Sequence, residues 1–370
     1  MRFLRPSLAL ALCLLAGASS VWAQLRVGQT AGHTGTVATS VKEATDGARM
    51  YFDAVNARGG VAGQKIELIS LDDKFDPKLA AANAKTLIDQ GVITLFLNRG
   101  TPHTEAIMPL LAQAQVPLVG PSTGAMVLHQ PVNPWVFNVR ATYQREAEKV
   151  VQHLATVGME RIAVVQVDDS FGADAAAGAL RGFATLKRKP VLHEKYDRAK
   201  PDFTTIVPKI VAADAQAVLF LGSGTAVIDG MKAVRASGSR AQLVTLSNNA
   251  SGGFVKALGP LARGVVVSQV FPPERSLATP LIKEASDLAR AKGITELTPA
   301  MIEGFAAAKV LVEGLRRAGK SPTRASLQAG LESMKRVDIG GLEISYSPTS
   351  HTGLDYADLS IIGADGRFKR

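Results

Sequence analysis

Between Asp46 and Asp73 the chain reads DGARMYFDAVNARGGVAGQKIELISLDD, and no other stretch constrains the fold as much. Ala48, Tyr51, Phe52 and Val55 recur at helical spacing and give one apolar face. Gly59 and Gly60 follow the last periodic residue, where a helix end calls for positive φ. Val61-Ala62-Gly63 makes a turn. Lys65 to Leu71 then alternates as a strand, with Ile66, Leu68 and Leu71 available for burial, and ends in Asp72-Asp73. A helix that turns straight back into a strand is half of a parallel α/β unit.

The unit recurs along the chain. Leu25 to Gln29 reads as a first strand, followed by a Gly- and Thr-rich loop, Thr30 to Ser40. Asp76-Pro77 starts a helix striped by Ala80, Ala84, Leu87 and Ile88. Val92 to Leu97 and Val116 to Val119 read as buried strands, with loops Asn98–Thr104 and Gly120–Gly124 behind them. Phe137 to Arg140 reads as a crossing, after which the pattern restarts. Strands are expected at Arg161–Val167, Pro190–Tyr196, Ala217–Leu221 and Gln242–Leu246, with loops Asp168–Gly172, Gly222–Thr225 and Ser247–Gly253. Val265 to Gln269 heads back to the first lobe. Helices at Pro280–Ala291, Pro299–Ala318 and Arg324–Met334 precede a third crossing within Ile339–Ser347, and Tyr356–Ile362 is a last strand. The expected fold is α/β, with two doubly wound parallel-sheet lobes joined by three hinge crossings. The expected division is 24–140 plus 271–345 for lobe 1, and 141–270 plus 346–370 for lobe 2.

Residues 1–23 have the form of a cleaved secretory signal peptide. Arg2 and Arg5 start it, Leu8 to Ala18 is apolar, and Val21-Trp22-Ala23 suits cleavage. The apolar run is too short to span a bilayer. Cys13 is the only cysteine and lies in that run, so the mature chain is expected to lack disulfides and Cys-ligated metals. Its 370 − 23 = 347 residues suit two domains at roughly 100–200 residues each. The formal charge of +10 is spread along the chain and aromatics make up 5%, so no basic helix or aromatic-basic sheet points to nucleic acid. No paired metal-ligand spacing of histidines and no phosphate-binding glycine motif occurs.

The run Asn56-Ala57-Arg58-Gly59-Gly60-Val61-Ala62-Gly63, the strand after it and Asp72-Asp73 resemble the leucine/isoleucine/valine-type periplasmic binding proteins, the type I solute-binding proteins of ABC importers. The resemblance continues nearly to Arg370. It implies a hinged clamshell in the periplasm, acting as a monomer without cofactor, that presents a small-molecule carboxylate to an inner-membrane ABC permease. It places the carboxylate at Thr101 and at Ser122-Thr123, with His103 and Thr104 on the same loop as Thr101. An aromatic that the family extends from the first loop is Ser40 here. Phe171, before Gly172, fits an aromatic of the second lobe.

Two departures bear on the ligand. Amino-acid binders of the family carry a Tyr where this chain has Gly224, beside Ser223. They place an acid, which pairs with the ligand ammonium, where this chain has Ser247-Asn248-Asn249. A roomier pocket and a carboxylate without an α-amino group are therefore expected, because a buried unpaired ammonium is costly.

Three other readings compete. Gly120-Pro121-Ser122-Thr123-Gly124 matches the G-x-S-x-G elbow of a serine hydrolase, with His351 downstream. A periplasmic sensor for a signalling partner would use the same scaffold, and so would a structural lobe pair with no ligand.

Overall fold

A computed structural model describes residues 24–370; the expected signal segment, with Cys13, lies outside the described residues. The first half of the chain lays down β1 (Leu25–Ala31), α1 (Ala38–Ala57), β2 (Ile66–Asp72), α2 (Pro77–Asp89), β3 (Thr94–Phe96), α3 (Thr101–Ala114), β4 (Leu118–Val119) and β5 (Val136–Phe137). These strands form one parallel sheet in the order β2-β1-β3-β4-β5.

The chain then crosses to a second sheet through α4 (Tyr143–Thr156), β6 (Ile162–Val167), α5 (Ser170–Thr185), β7 (Leu192–Tyr196), α6 (Ile206–Ala212), β8 (Ala217–Leu221), α7 (Gly224–Ala236), β9 (Gln242–Thr245), α8 (Gly252–Leu258) and β10 (Val266–Gln269). It returns for α9 (Pro280–Ala291), α10 (Pro299–Arg317), α11 (Arg324–Glu332) and the small hairpin of β11 (Val337–Asp338) and β12 (Glu343–Ile344). It crosses a third time to add β13 (Asp358–Ile362) and β14 (Phe368–Lys369), which pair antiparallel at the edge of the second sheet. That sheet runs β14-β13-β10-β9-β8-β6-β7.

Each sheet has its own core. The helix pair α1 and α10 covers the first sheet, and all but five residues of the 19-residue α10 are buried. Close approach explains the small residues there: Gly47 lies against the Met301 backbone and Gly304 against that of Ala44, with no room for a Cβ. In the second sheet Ile162 to Val167 and Ala217 to Leu221 are buried throughout, as the continuous apolar runs require of strands covered on both faces.

The helix α9 has the expected bounds, and Asp76 caps α2 through the backbone N–H groups of Lys78 and Leu79. The strand-end loops are shorter than expected. Ser40 lies in the first turn of α1, not in a loop; Thr101, His103 and Thr104 open α3; Phe171 and Gly172 open α5; and Gly224 opens α7. Thr, Ser and Gly are as compatible with a first helical turn as with a loop, and Pro102 near the start of α3 suits its fixed φ.

Candidate functional site

Among the parallel strands of each sheet the order reverses once, between β1 and β3 in the first and between β6 and β8 in the second. Loops at the carboxyl ends of strands flanking such a reversal form a crevice. Here the two crevices face one another, and their loops touch. Glu43 of α1 accepts hydrogen bonds from the N–H groups of Gly252 and Gly253 at the start of α8, at 3.0 and 2.9 Å. Ser170 donates to Glu105 at 2.5 Å, and the Arg198 guanidinium sits 5.1 Å from the centre of the Phe75 ring. The two sheets are thus seen in a closed arrangement.

Arg99, between β3 and α3, lies at the centre and is 5% exposed. It donates to Ser122 Oγ at 3.0 Å and, across the cleft, to the Asn248 carbonyl at 2.5 Å. Burial lowers its pKa; Tyr143 and Glu303 oppose that shift, and the neighbouring cations Arg140 and Arg198 reinforce it. Behind it, Arg140 in the first crossing pairs with Glu146, donates to Ser247 Oγ at 2.7 Å and lies 3.7 Å from Glu303. Burial pushes the Arg140 guanidinium down, but Glu146, Tyr143 and Glu303 more than offset that and hold it above its ordinary value. Glu146 also accepts from the Ser247 N–H and from Ser268 Oγ.

The residues expected at the site fall as follows. Thr101 and Thr123 hydroxyls hydrogen-bond to one another at 2.7 Å, next to Ser122. Thr104 is occupied inside α3, accepting from Asn98 and donating to the Gly100 carbonyl. His103 stacks on Phe75 at 4.3 Å, and burial pushes its pKa down to about 4, so the ring is neutral at physiological pH. Phe171 is buried edge-on against Tyr143, whose ring carries the Arg140 guanidinium. Asn248 donates to Ser223 Oγ and to the Gly222 carbonyl, while its own Oδ1 is buried with no hydrogen-bond partner among the described residues. Ser40 donates to the Val37 carbonyl. It lines a cavity of about 150 Å³ together with Thr36, Gly224 and Asn248. A groove of about 650 Å³ opens beside it between Lys74, Phe75, Asp168 and Arg198.

Two expectations are corrected. Gly224 does not leave room where a Tyr was expected: it has φ +59°, and a Cβ there would stand 2.8 Å from the Thr36 carbonyl carbon and nearer still to its oxygen. The first-sheet loop takes up that space. Nor does Ser122 stand on a strand-to-helix elbow. Gly120–Gly124 leads only to a single 3-10 turn, Met126–Leu128, and the hydrogen-bond partner of Ser122 Oγ is Arg99. His351 is held by the Asn133 and Val136 carbonyls and by Glu332, and it stacks on Phe137.

Arg99, Glu43, Arg140 and Glu146 were not singled out from the sequence. A lone cation directly behind the apolar strand Val92–Leu97 was the available signal for Arg99. The others depend on partners more than a hundred positions away or across the crossing.

Comparison with known proteins agrees with this geometry. Residues 24–361 match the family model described as periplasmic binding protein. An amino acid binding protein of Pseudomonas aeruginosa is 29% identical over 228 residues, a match spanning 60% of each chain. The Leu/Ile/Val-binding protein homolog 3 of Brucella melitensis is 23% identical over 336 residues, covering 90% of this chain and 89% of that one. A substrate-binding periplasmic protein from Ralstonia solanacearum superposes with a TM-score of 0.86 at 31% identity, over 93% of this chain and 99% of that one. No helix among the described residues is long and apolar enough to cross a membrane. By its sequence and its architecture alike, the chain belongs to the periplasmic binding protein family, in the type I branch that includes the leucine/isoleucine/valine-binding proteins.

Proposed function

We propose that this protein is the solute receptor of an ABC importer, which captures a small organic acid between its two sheets and presents the closed form to an inner-membrane permease. The observation that carries this reading is the meeting of both strand-end crevices around Arg99, Thr101, Ser122 and Asn248. Contacts made only when the sheets approach, such as those of Glu43 with the start of α8, couple ligand capture to closure.

A carboxylate without an α-amino group suits the site better than a zwitterion. Most of the acids that border the cleft are engaged: Glu43 by α8 and Thr298, Asp169 by Arg198, and Glu146 by Arg140; Glu303 stands 3.7 Å from Arg140 with its Oε1 lacking a hydrogen-bond partner among the described residues. An incoming ammonium would have to share one of the engaged acids or lie beside the Arg140 cation to reach Glu303. The relatives named for amino acids favour the opposite choice, and the experiment decides between the two. Calorimetry and X-ray scattering on the mature chain compare leucine with 4-methylpentanoate, and phenylalanine with 3-phenylpropionate. The acid of each pair should bind more tightly and reduce the radius of gyration. Tighter binding of the amino acids overturns the ligand class, and an unchanged radius at saturation overturns the clamshell mechanism.

A further inference from the structure

Arg140 and Glu303 face one another where the two sheets meet, and neither completes its hydrogen bonds. Arg140 Nε donates to the Ala141 carbonyl at 3.3 Å, and Nη2 donates to Ser247 Oγ and to Glu146. Its Nη1 is buried and has no hydrogen-bond partner among the described residues. Facing it at 3.7 Å, Glu303 Oε1 is buried and equally without a partner. The two side chains are 1% and 9% exposed. At that separation the charges attract, but no hydrogen bond forms. A buried donor or acceptor left open is costly, and native structures leave few of them.

The pair stands where the cleft meets the hinge. Arg140 belongs to the first crossing. Glu303 is the fifth residue of α10, and the N–H of Ala300, one turn earlier, donates to the Ala250 carbonyl in a loop of the second sheet at 3.2 Å. Ser247, which accepts from Arg140, is followed by Asn248, whose carbonyl accepts from Arg99 across the cleft.

Charge narrows what can fill the gap. Arg99, Arg140, Glu146 and Glu303 form one buried cluster of two cations and two anions. An ammonium would give Glu303 a donor, but it would lie against Arg140 and add a positive charge to a balanced group. A second carboxylate would be repelled by Glu303. A hydroxyl adds no charge; it accepts from Nη1 and donates to Oε1. An oxygen about 2.8 Å from each atom is compatible with their 3.7 Å separation, lying to one side of the line that joins them.

We infer that Arg140 Nη1 and Glu303 Oε1 form a subsite for a hydroxyl group of the ligand, so that the protein selects hydroxylated organic acids over acids that lack the hydroxyl. This deepens the receptor reading above and rests on it. The hydroxyl is a point of recognition separate from the carboxylate. Glu303 is carried by α10 against the first sheet, whereas Glu146 and Ser247, which hold Arg140, belong to the second. The hydroxyl therefore joins the two sides of the cleft and is bound by both only on closure.

The test uses the mature chain and one carbon skeleton in calorimetry: 4-methylpentanoate, its 2-hydroxy and 3-hydroxy derivatives, and leucine. One of the hydroxy acids should bind at least about tenfold more tightly than 4-methylpentanoate, the gain of a hydrogen bond to a charged group. Leucine, whose ammonium donates but does not accept, should bind more weakly than that hydroxy acid. In Glu303→Gln the ratio of hydroxy-acid to 4-methylpentanoate affinity should fall at least about threefold, since a neutral acceptor makes a weaker bond. A ratio taken within one protein cancels any change in the stability of the variant, and the comparison within the parent stands whether or not the variant folds.

Hydroxy acids that bind no better than 4-methylpentanoate overturn the inference and assign the gap to a water, which has the same donor and acceptor chemistry. So does a hydroxyl preference that survives Glu303→Gln unchanged, which would put the hydroxyl elsewhere. Both results leave the receptor reading intact. Leucine binding more tightly than all three acids would overturn the inference together with the ligand class proposed above. Failure of every compound to bind or to compact the parent would overturn the receptor reading as well.

Discussion

Gly253→Ala separates closure from folding. Gly253 is the second residue of α8, and on the closed structure a Cβ there would stand 2.6 Å from Thr39 Oγ1 and 2.8 Å from Thr39 Cγ2. Both separations are far inside ordinary van der Waals contact, which for carbon begins near ~3.5 Å. Thr39 belongs to α1 on the first sheet and Gly253 to the second, so the clash exists only when the sheets meet. Overpacking of this kind costs about 1–3 kcal/mol. Charged entirely to the closed form, that is a loss of roughly five- to 150-fold in ligand affinity. With the sheets apart, the same methyl sits in a helix, where Ala is favoured over Gly by up to about 1 kcal/mol. The ligand-free variant should therefore melt no lower than the parent while binding the acid more weakly and compacting less in scattering. Thr39→Gly in the same background removes the opposing side chain and should restore affinity. Parental affinity in Gly253→Ala alone, or a failure of Thr39→Gly to rescue a weakened variant, would refute the argument that these loops meet in the functional closed form.

Two further expectations concern the hydroxyls and one buried imidazole. Thr101→Ala and Ser122→Ala should each weaken acid binding by about 1.5–3 kcal/mol in calorimetry, the range for a hydrogen bond to a charged group, with melting little changed; parental affinity in both would show that the carboxylate is held elsewhere. His129, bonded to Thr352 on one ring nitrogen, has its pKa pushed down to about 4 by burial and by Arg140. Its contribution to stability is thus present above the unfolded value of about 6.5 and is lost as pH falls through about 4, so His129→Gln should lessen the fall in melting temperature over that window; an equal fall in both proteins would remove His129 from the acid response.

Much of the framework was written locally. The helix at Pro280–Ala291 and the apolar strands Ile162–Val167 and Ala217–Leu221 depend on periodicity and on burial on both faces, which a single segment displays. Thr101, Ser122 and Asn248 were expected from the family resemblance, on strand-end loops that a parallel sheet brings to one crevice, and those loops do meet here. The finer site was not legible. Gly224 looked like missing bulk, yet the Thr36 backbone fills its place, and only the approach of two distant loops could reveal that. Ser40 looked like a loop residue because small polar residues suit helix starts and loops equally, and α1 begins at Ala38. Arg99 showed only as a lone cation behind the strand Val92–Leu97; its hydrogen bonds to Ser122 and, across the cleft, to Asn248 come from the fold.

The packing of α1 on α10 has a consequence for the birth of the molecule. Ala44 and Gly304 touch backbone to backbone, although 260 positions separate them in the chain. The second sheet likewise waits for residues 358–369 to finish its edge. A chain threaded N-terminus first cannot complete either core until its last quarter has emerged, since α10 ends at Arg317. Pairings so remote are slow to form, and their apolar partners stay uncovered meanwhile. Delayed folding of this kind makes the last stretch of the chain the step on which both cores wait, and a chain cut short before the third crossing would leave each sheet with apolar surface it cannot cover.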